Sequence, residues 1–157
     1  MKSRRNGRDK PAIISIKGEQ QPALDDEIEV VEFVTSGSYR IKDGICHIKY
    51  NESSLTGMEG TKTHVSVEDG KVTIVRSGYI SSQMTFEKGQ KHLSLYETPA
   101  GSFTVGVNAF KIDSSFDENG GSLTVDYSIE IDNTIAGYNN FSIIVKSENK
   151  TAKDLTQ

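Results

Sequence analysis

The chain has 157 residues, of which 34% are hydrophobic and 25% charged, and its formal net charge is −4. This length fits one domain with a single core. No run approaches the roughly 18 apolar residues that a membrane helix needs. The single cysteine, Cys46, excludes an internal disulfide framework and a multi-cysteine zinc site.

The two ends of the chain differ in composition from its middle. Residues 1–10 carry five basic side chains against one acidic one, and residues 149–157 are mainly polar. We interpret residues 1–10 as a disordered basic arm, residues 11–148 as one domain and residues 149–157 as a polar tail. The apolar run after the arm is too short for a secretory signal, and an unpaired cysteine agrees with a reducing compartment, so we expect a cytoplasmic protein.

Hydrophobic and polar residues alternate along most of the chain, with the period of two that indicates half-buried strands. Shifts in this alternation at residues 30–31 and 107–110 predict two β-bulges. Asp43-Gly44 and Asp69-Gly70 predict tight hairpins. We predict about ten strands, at residues 11–20, 27–36, 38–42, 45–51, 61–69, 71–78, 82–87, 91–98, 102–113, 122–131 and 139–147, where the segments within 38–51 can be counted once or twice.

The connections between these strands are short, which only antiparallel neighbours allow. A run of consecutive hairpins predicts an up-and-down meander, and closing the meander into a barrel removes both unpaired edges. We therefore predict an all-β antiparallel barrel of about 8–10 strands, whose interior is either filled or holds one small ligand.

Several short motifs follow one another in a specific order. They are residues 55–63 (LTGMEGTKT), residues 76–78 (RSG), residues 96–101 (YETPAG) and residues 120–123 (GGSL) ahead of Tyr127. In this order they resemble the YwiB-like family of small bacterial proteins, over residues 12–147. The resemblance implies a calycin-like (lipocalin-like) barrel and a bacterial cytoplasmic source. It implies no catalytic residues, because the family has no assigned function.

The residues that most often carry catalysis or metal binding are few. His47, His64 and His92 fall on the polar side of their strands, and Cys46 falls on the apolar side as a core residue. Alternation therefore excludes a Cys46–His47 dyad. His47 and His64 lie on neighbouring strands without an apparent third ligand, so we expect no metal site and no cofactor. No nucleophile elbow or phosphate loop occurs, and we expect no enzymatic activity.

Arg76 falls on the same side of its strand as Val72 and Ile74. If these two face the interior, its guanidinium lies inside the barrel near one end. A buried guanidinium needs partners. These are either a carboxylate or phosphate ligand or acceptors of the barrel itself. Tyr50 and Tyr127 also fall on inward parity, either as hydroxyls near a barrel mouth or as core tyrosines. Because Val75 on the other side of the strand is apolar too, the opposite orientation, with Arg76 facing outward, is the alternative.

These observations favour a non-enzymatic barrel that binds a small molecule, with an anion as one option, through the candidate residues Arg76, Tyr50 and Tyr127. The alternative is a filled barrel that acts as an interaction or scaffold protein through its outer face or basic arm. We expect no nucleic-acid binding, because the arm lacks the aromatic side chains on which bases stack. We expect no membrane binding, because no long apolar run occurs. The oligomeric state is left open. A polar-lined pocket of ~300 Å³ or more would favour ligand binding.

Overall fold

The computed structural model describes residues 8–24 and 27–148, and nearly all of them belong to β-strands. The ten strands are β1 (Lys10–Pro22), β2 (Glu29–Lys42), β3 (Ile45–Asn51), β4 (Thr61–Glu68), β5 (Lys71–Gly78), β6 (Ser81–Glu87), β7 (Lys91–Thr98), β8 (Gly101–Asp117), β9 (Gly120–Ile131) and β10 (Thr134–Ser147). A single 3-10 turn, Ser54–Thr56, lies between β3 and β4 in this part of the chain.

The strands form one closed barrel in which each pairs with its neighbours along the chain and β1 pairs with β10. Every pairing is antiparallel. The predicted all-β up-and-down barrel is therefore confirmed, with ten strands. The segments predicted at 27–36 and 38–42 are one continuous strand, β2.

One end of the barrel is packed with apolar side chains. This packed end carries the hairpins at Asp43-Gly44 and Asp69-Gly70, and both residues of the first hairpin have positive φ, as two-residue turns of this kind require. Tyr39 is almost fully buried there, and its hydroxyl donates to the carbonyl of Asp117 at 2.5 Å. Cys46 is buried in the same core, as its parity predicted.

The two predicted bulges have different outcomes. The register between β8 and β9 shifts between Ala109 and Lys111, which confirms the bulge predicted at 107–110 and turns Phe110 outward. The register between β1 and β2 runs without a shift, so the bulge predicted at 30–31 is wrong. Val30 lies on the outer face of β2, because alternation from the interior residue Val31 places it there.

The orientation of strand β7 is the reverse of the predicted one, in which its leucines face the interior. Leu93 and Leu95 are 66% and 55% exposed, whereas Ser94 and Tyr96 lie on the inward side. His92 shares that inward side, so its expected outward position is wrong. Cross-strand pairing explains the reversal: residues that oppose each other share a face, and Tyr96 is paired with the interior residue Ser82.

The chain ends extend beyond the described part. Residues 1–7 of the expected arm and residues 149–157 of the expected tail lie outside the described residues. Asp9 is placed against the barrel, 3.4 Å from Nε of Arg40 and 3.3 Å from Nζ of Lys49. Lys10 opens β1, and its ammonium donates to the carbonyl of Glu118. Within residues 8–24 and 27–148, no helix has the length and apolar character required to cross a membrane.

Candidate functional site

The other end of the barrel, which we call the open end, is hollow. It is the end at which the β1–β2 connection, residues 52–60 and the β9–β10 turn lie. A cavity of about 450 Å³ occupies it. Its apolar wall consists of Ile16, Val31, Ile74, Met84, Phe86, Phe141 and Ile143. Its polar wall consists of Tyr50, Glu52, Arg76, Tyr127 and Asn139. The lining is completed by Gly18, Glu19, Gln20, Glu29, Asn140 and residues 54–58.

The structure brings the three residues selected from the sequence into this one cavity. Tyr50 comes from β3, Arg76 from β5 and Tyr127 from β9, and all three line the cavity. Arg76 is on the inward side of β5, as its parity with Val72 and Ile74 predicted. Period-two alternation places these side chains on the inner face, and the antiparallel pairing of successive strands brings them to the same end of the barrel.

A row of polar side chains crosses five neighbouring strands at the level of Arg76. Tyr50 opposes Thr63, Thr63 opposes Arg76, Arg76 opposes Ser82, and Ser82 opposes Tyr96. Thr63 and Ser82 are buried polar residues. Because opposing residues share a face of the sheet, this polar row forms a continuous band on the inner surface.

Glu52 is a functional candidate that the sequence reasoning missed. Its side chain is only 2% exposed, and its carboxylate accepts hydrogen bonds from the hydroxyls of Thr63 at 2.5 Å and Thr56 at 3.2 Å. The sequence did indicate this position, because Glu52 continues the series of inward-facing residues Cys46, Ile48 and Tyr50. The residue was overlooked because it lies just past the end of β3.

Arg76 has a counter-charge but few hydrogen bonds. Its Nε lies 3.6 Å from Oε2 of Glu52, an ion-pair distance that is too long for a hydrogen bond. Its Nη1 contacts the sulfur of Met84 at 3.8 Å, a weak acceptor. Both Nε of Arg76 and the hydroxyl of Ser82 are buried without a hydrogen-bond partner among the described residues. Arg76 thus brings a guanidinium nitrogen, Nη1, to the cavity wall that has only a weak acceptor in the described part of the chain.

The two tyrosines of the cavity remain protonated at neutral pH. Burial raises the pKa of Tyr50, and the Glu52 carboxylate raises it further, while Arg76 acts in the opposite direction. Burial also raises the pKa of Tyr127, against opposing effects of Arg76 and a hydrogen bond with Asn139. Both hydroxyls are therefore hydrogen-bond donors at neutral pH, and that of Tyr50 is hydrogen-bonded to the Glu52 carboxylate.

The segment 52–60 covers part of the cavity and is held by several contacts. The hydroxyl of Ser53 caps the 3-10 turn by accepting from the amide of Leu55, and Gly57 ends the turn in a left-handed conformation. The carbonyl of Met58 accepts from the amide of Thr61 at 3.0 Å. These contacts give the mouth of the cavity a defined shape.

The histidines and the cysteine lie away from the cavity. Nδ1 of His47 and Nε2 of His64 are 2.9 Å apart on the outer side of β3 and β4. Burial raises the pKa of the Cys46 thiol to about 12. In the described part of the chain, no group of three or more His, Cys, Asp or Glu side chains could hold a metal ion.

Comparisons with known proteins agree with this barrel. Residues 14–143 match the family model described as "Domain of unknown function (DUF1934)". The chain belongs to this family. One relative is the uncharacterized β-barrel protein YwiB of Bacillus subtilis (strain 168), which is 29% identical over 103 residues, or 66% of this chain and 71% of the relative. The resemblance found in the sequence motifs is confirmed.

A solved structure shows the same fold. The crystal structure of the ywiB protein from Bacillus subtilis matches with a TM-score of 0.79 and 24% identity, and the match covers 90% of this chain and 94% of that chain. At this identity the match supports the barrel architecture, and the chemistry of the cavity is argued from its own residues.

Proposed function

We propose that this protein is a non-enzymatic carrier or receptor that binds one small molecule in the cavity at the open end of the barrel. The cavity carries the proposal: its volume of about 450 Å³ lies within the range of sites that enclose small organic ligands. Protein interiors are otherwise close-packed, and few voids exceed the size of a water molecule. A calycin-like barrel of this kind would use its hollow end as the binding site.

The cavity fits a molecule with an apolar body and one polar end. Ile74, Phe86 and Ile143 offer an apolar wall on which a hydrocarbon or aromatic body would be buried. Arg76, Tyr50 and Tyr127 would hold the polar end, since each supplies a hydrogen-bond donor. This division is typical of small-molecule sites, in which a few polar groups orient a mainly apolar contact surface.

The absence of catalysis and of a cofactor is part of the proposal. Among the described lining residues, no serine or threonine is paired with a histidine base, and the histidines lie elsewhere on the barrel. The one cysteine is buried in the packed end with a raised pKa, which disfavours a thiolate nucleophile. A free thiol also agrees with a site of action in the cytoplasm.

A second candidate function is an interaction or scaffold role for the outer face. Large apolar side chains are exposed there: Val34 at 67% and Ile144 at 54% flank Ser15 of β1 on the two neighbouring strands, and Leu93 at 66% lies separately on β7. Exposed apolar groups that cluster on a surface mark protein contacts. Loss of binding to a partner on substitution of these residues, with the cavity intact, would favour this role.

Native mass spectrometry of freshly purified protein tests the proposal. A matched variant is available, because Gly18 lines the cavity and a Cβ atom added there meets no atom within 4 Å. We expect the wild-type protein to carry an additional small-molecule mass that Gly18→Phe lacks and that Gly18→Ala retains. An adduct that persists equally in Gly18→Phe would place the bound molecule outside the cavity and contradict the proposal.

A further inference from the structure

We propose that the polar end of the bound molecule is an uncharged carbonyl group, such as an amide, that accepts hydrogen bonds from Arg76. This inference rests on the proposed function and names the chemical class of the ligand. It follows from two features of the cavity: a guanidinium whose donors are unfilled and whose charge is already balanced.

The unfilled donors indicate that an acceptor is missing. Arg76 lines the cavity, yet its Nε has no hydrogen-bond acceptor among the described residues and its Nη1 contacts only a thioether. Because polar groups of a protein interior are nearly always hydrogen-bonded, the terminal guanidinium nitrogens of Arg76, of which Nη1 has only this weak acceptor, are the donors that an acceptor in the cavity would satisfy.

The charges of the cavity indicate that this acceptor carries no charge of its own. The Glu52 carboxylate is buried 3.6 Å from Nε of Arg76 and balances the guanidinium. Two more carboxylates, Glu19 and Glu29, line the cavity, and Arg76 is the one lysine or arginine among the described lining residues. An anionic ligand would add a fourth negative charge around one positive charge, and burying an uncompensated charge is costly.

An amide also matches the acceptors of the polar wall. Glu52 accepts from the hydroxyls of Thr56 and Thr63 and from that of Tyr50, but a carboxylate offers about four lone-pair sites and so retains one for another donor. Asn139 adds a second acceptor in the same wall. A ligand whose carbonyl faces Arg76 and whose N–H groups face these oxygens would satisfy both sets, whereas a carboxylate would satisfy only the donors.

Octanamide and octanoate form a matched pair of probes, because they have the same chain length and differ in the charge of the polar end. Binding of each at pH 7 is followed by NMR titration, using the methyl signals of Met84 and Ile143 and the Nε–H signal of Arg76. We expect octanamide to bind at least about tenfold more tightly than octanoate, because like charges placed together in an interface are strongly unfavourable. The Nε–H signal should shift on binding.

Glu52→Gln supplies the matched variant, since it removes the counter-charge and preserves the shape. We expect octanoate to gain at least about tenfold in affinity in this variant, and octanamide to change much less. If octanoate binds wild-type protein as tightly as octanamide or more tightly, the inference is overturned and the proposed function stands. If neither probe shifts the cavity methyl signals, both are overturned. The wild-type comparison decides the matter even if Glu52→Gln fails to fold.

Discussion

The carboxylate of Glu52 and the guanidinium of Arg76 meet inside the barrel, with 3.6 Å between Oε2 and Nε. The two residues belong to different parts of the wall: Glu52 follows β3, and Arg76 lies on β5. Thr63 of the intervening strand opposes Arg76 and donates to Glu52 at 2.5 Å. The pair therefore joins three consecutive strands at the open end, where apolar packing is incomplete because of the cavity.

Substitution of Arg76 by Met tests whether this ion pair stabilises the open end. The change keeps most of the apolar stem and leaves the buried Glu52 carboxylate without its counter-charge. We expect the free energy of unfolding to fall by about 1–3 kcal/mol, measured by urea denaturation at pH 7.

The double variant Arg76→Met with Glu52→Gln is the control for this prediction. Because it removes both charges, it should be less destabilised than the sum of the single variants, with a coupling of about 0.5–3 kcal/mol. A loss below about 0.5 kcal/mol for Arg76→Met alone would place Arg76 among residues whose interactions do not contribute to stability.

Two glycines that face the interior provide a matched test of packing. A methyl group added at Gly37 would lie 2.5 Å from Cδ1 of Ile14 and would also clash with the carbonyl oxygen of Lys49, whereas one added at Gly18 meets no atom within 4 Å. We expect Gly37→Ala to destabilise the protein by about 1–3 kcal/mol through overpacking. Gly18→Ala should be neutral or stabilising by about 0.5–1 kcal/mol, because alanine loses less backbone entropy in a strand. Equal thermal denaturation of the two variants would show that β2 can move away from β3.

Much of the barrel could be predicted from the sequence because its strands repeat one physical pattern. Alternation identified the inward sides of β3, β5 and β9, and this placed Tyr50, Arg76 and Tyr127 in one cavity. The bulge near Ala109 was visible because the alternation changes phase there. Each of these features depends on the residues of one strand alone.

The parts that could not be predicted depend on contacts between strands. Leu93 and Leu95 look like core residues in isolation, but the pairing of Tyr96 with Ser82 turns them outward. Glu52 looks like an ordinary surface acid beyond a strand end, but Thr63 and Thr56 from separate segments make its burial possible. The unfilled donor of Ser82 is a property of the three-dimensional arrangement and has no signature in the sequence.

The thiol of Cys46 should be unreactive in the folded protein. It is 4% exposed, and burial raises its pKa to about 12, so the reactive thiolate is scarce at pH 8. We expect Ellman's reagent to label the folded protein far more slowly than the urea-unfolded protein. Labelling at the unfolded rate under native conditions would mean that the packed end opens readily.

The His47–His64 pair should make the protein less stable in mild acid. The folded structure lowers the pKa of both rings: burial is the largest cause for each, and the cations of Arg40 and Lys49 add to it against the opposing effect of Asp9. The unfolded chain therefore binds more protons than the folded one as pH falls through about 6.5. This contribution is fully present at pH 7.5 and is lost as pH decreases toward 5.

The measurement compares urea denaturation at pH 7.5 and 5.5 for the wild-type protein and for His47→Gln with His64→Gln. Carboxylates elsewhere contribute equally to both proteins, so the wild-type protein should lose more stability than the double variant. His92→Gln serves as a control for the removal of a histidine outside the pair. The His92 ring contacts a carboxylate oxygen of Glu87 at 2.9 Å instead of another histidine. An equal or larger loss in the double variant would contradict the assignment of the effect to this pair.

The central claim is that the hollow end of the barrel binds a small molecule. The most direct test adds the low-molecular-weight fraction of a bacterial extract to isotope-labelled protein and follows the methyl signals of Ile74, Met84 and Ile143, which line the cavity. We expect these signals to shift in the wild-type protein and in Gly18→Ala, and to stay unchanged in Gly18→Phe. Cavity signals that do not respond in the wild-type protein, or that shift equally in Gly18→Phe, would contradict the claim.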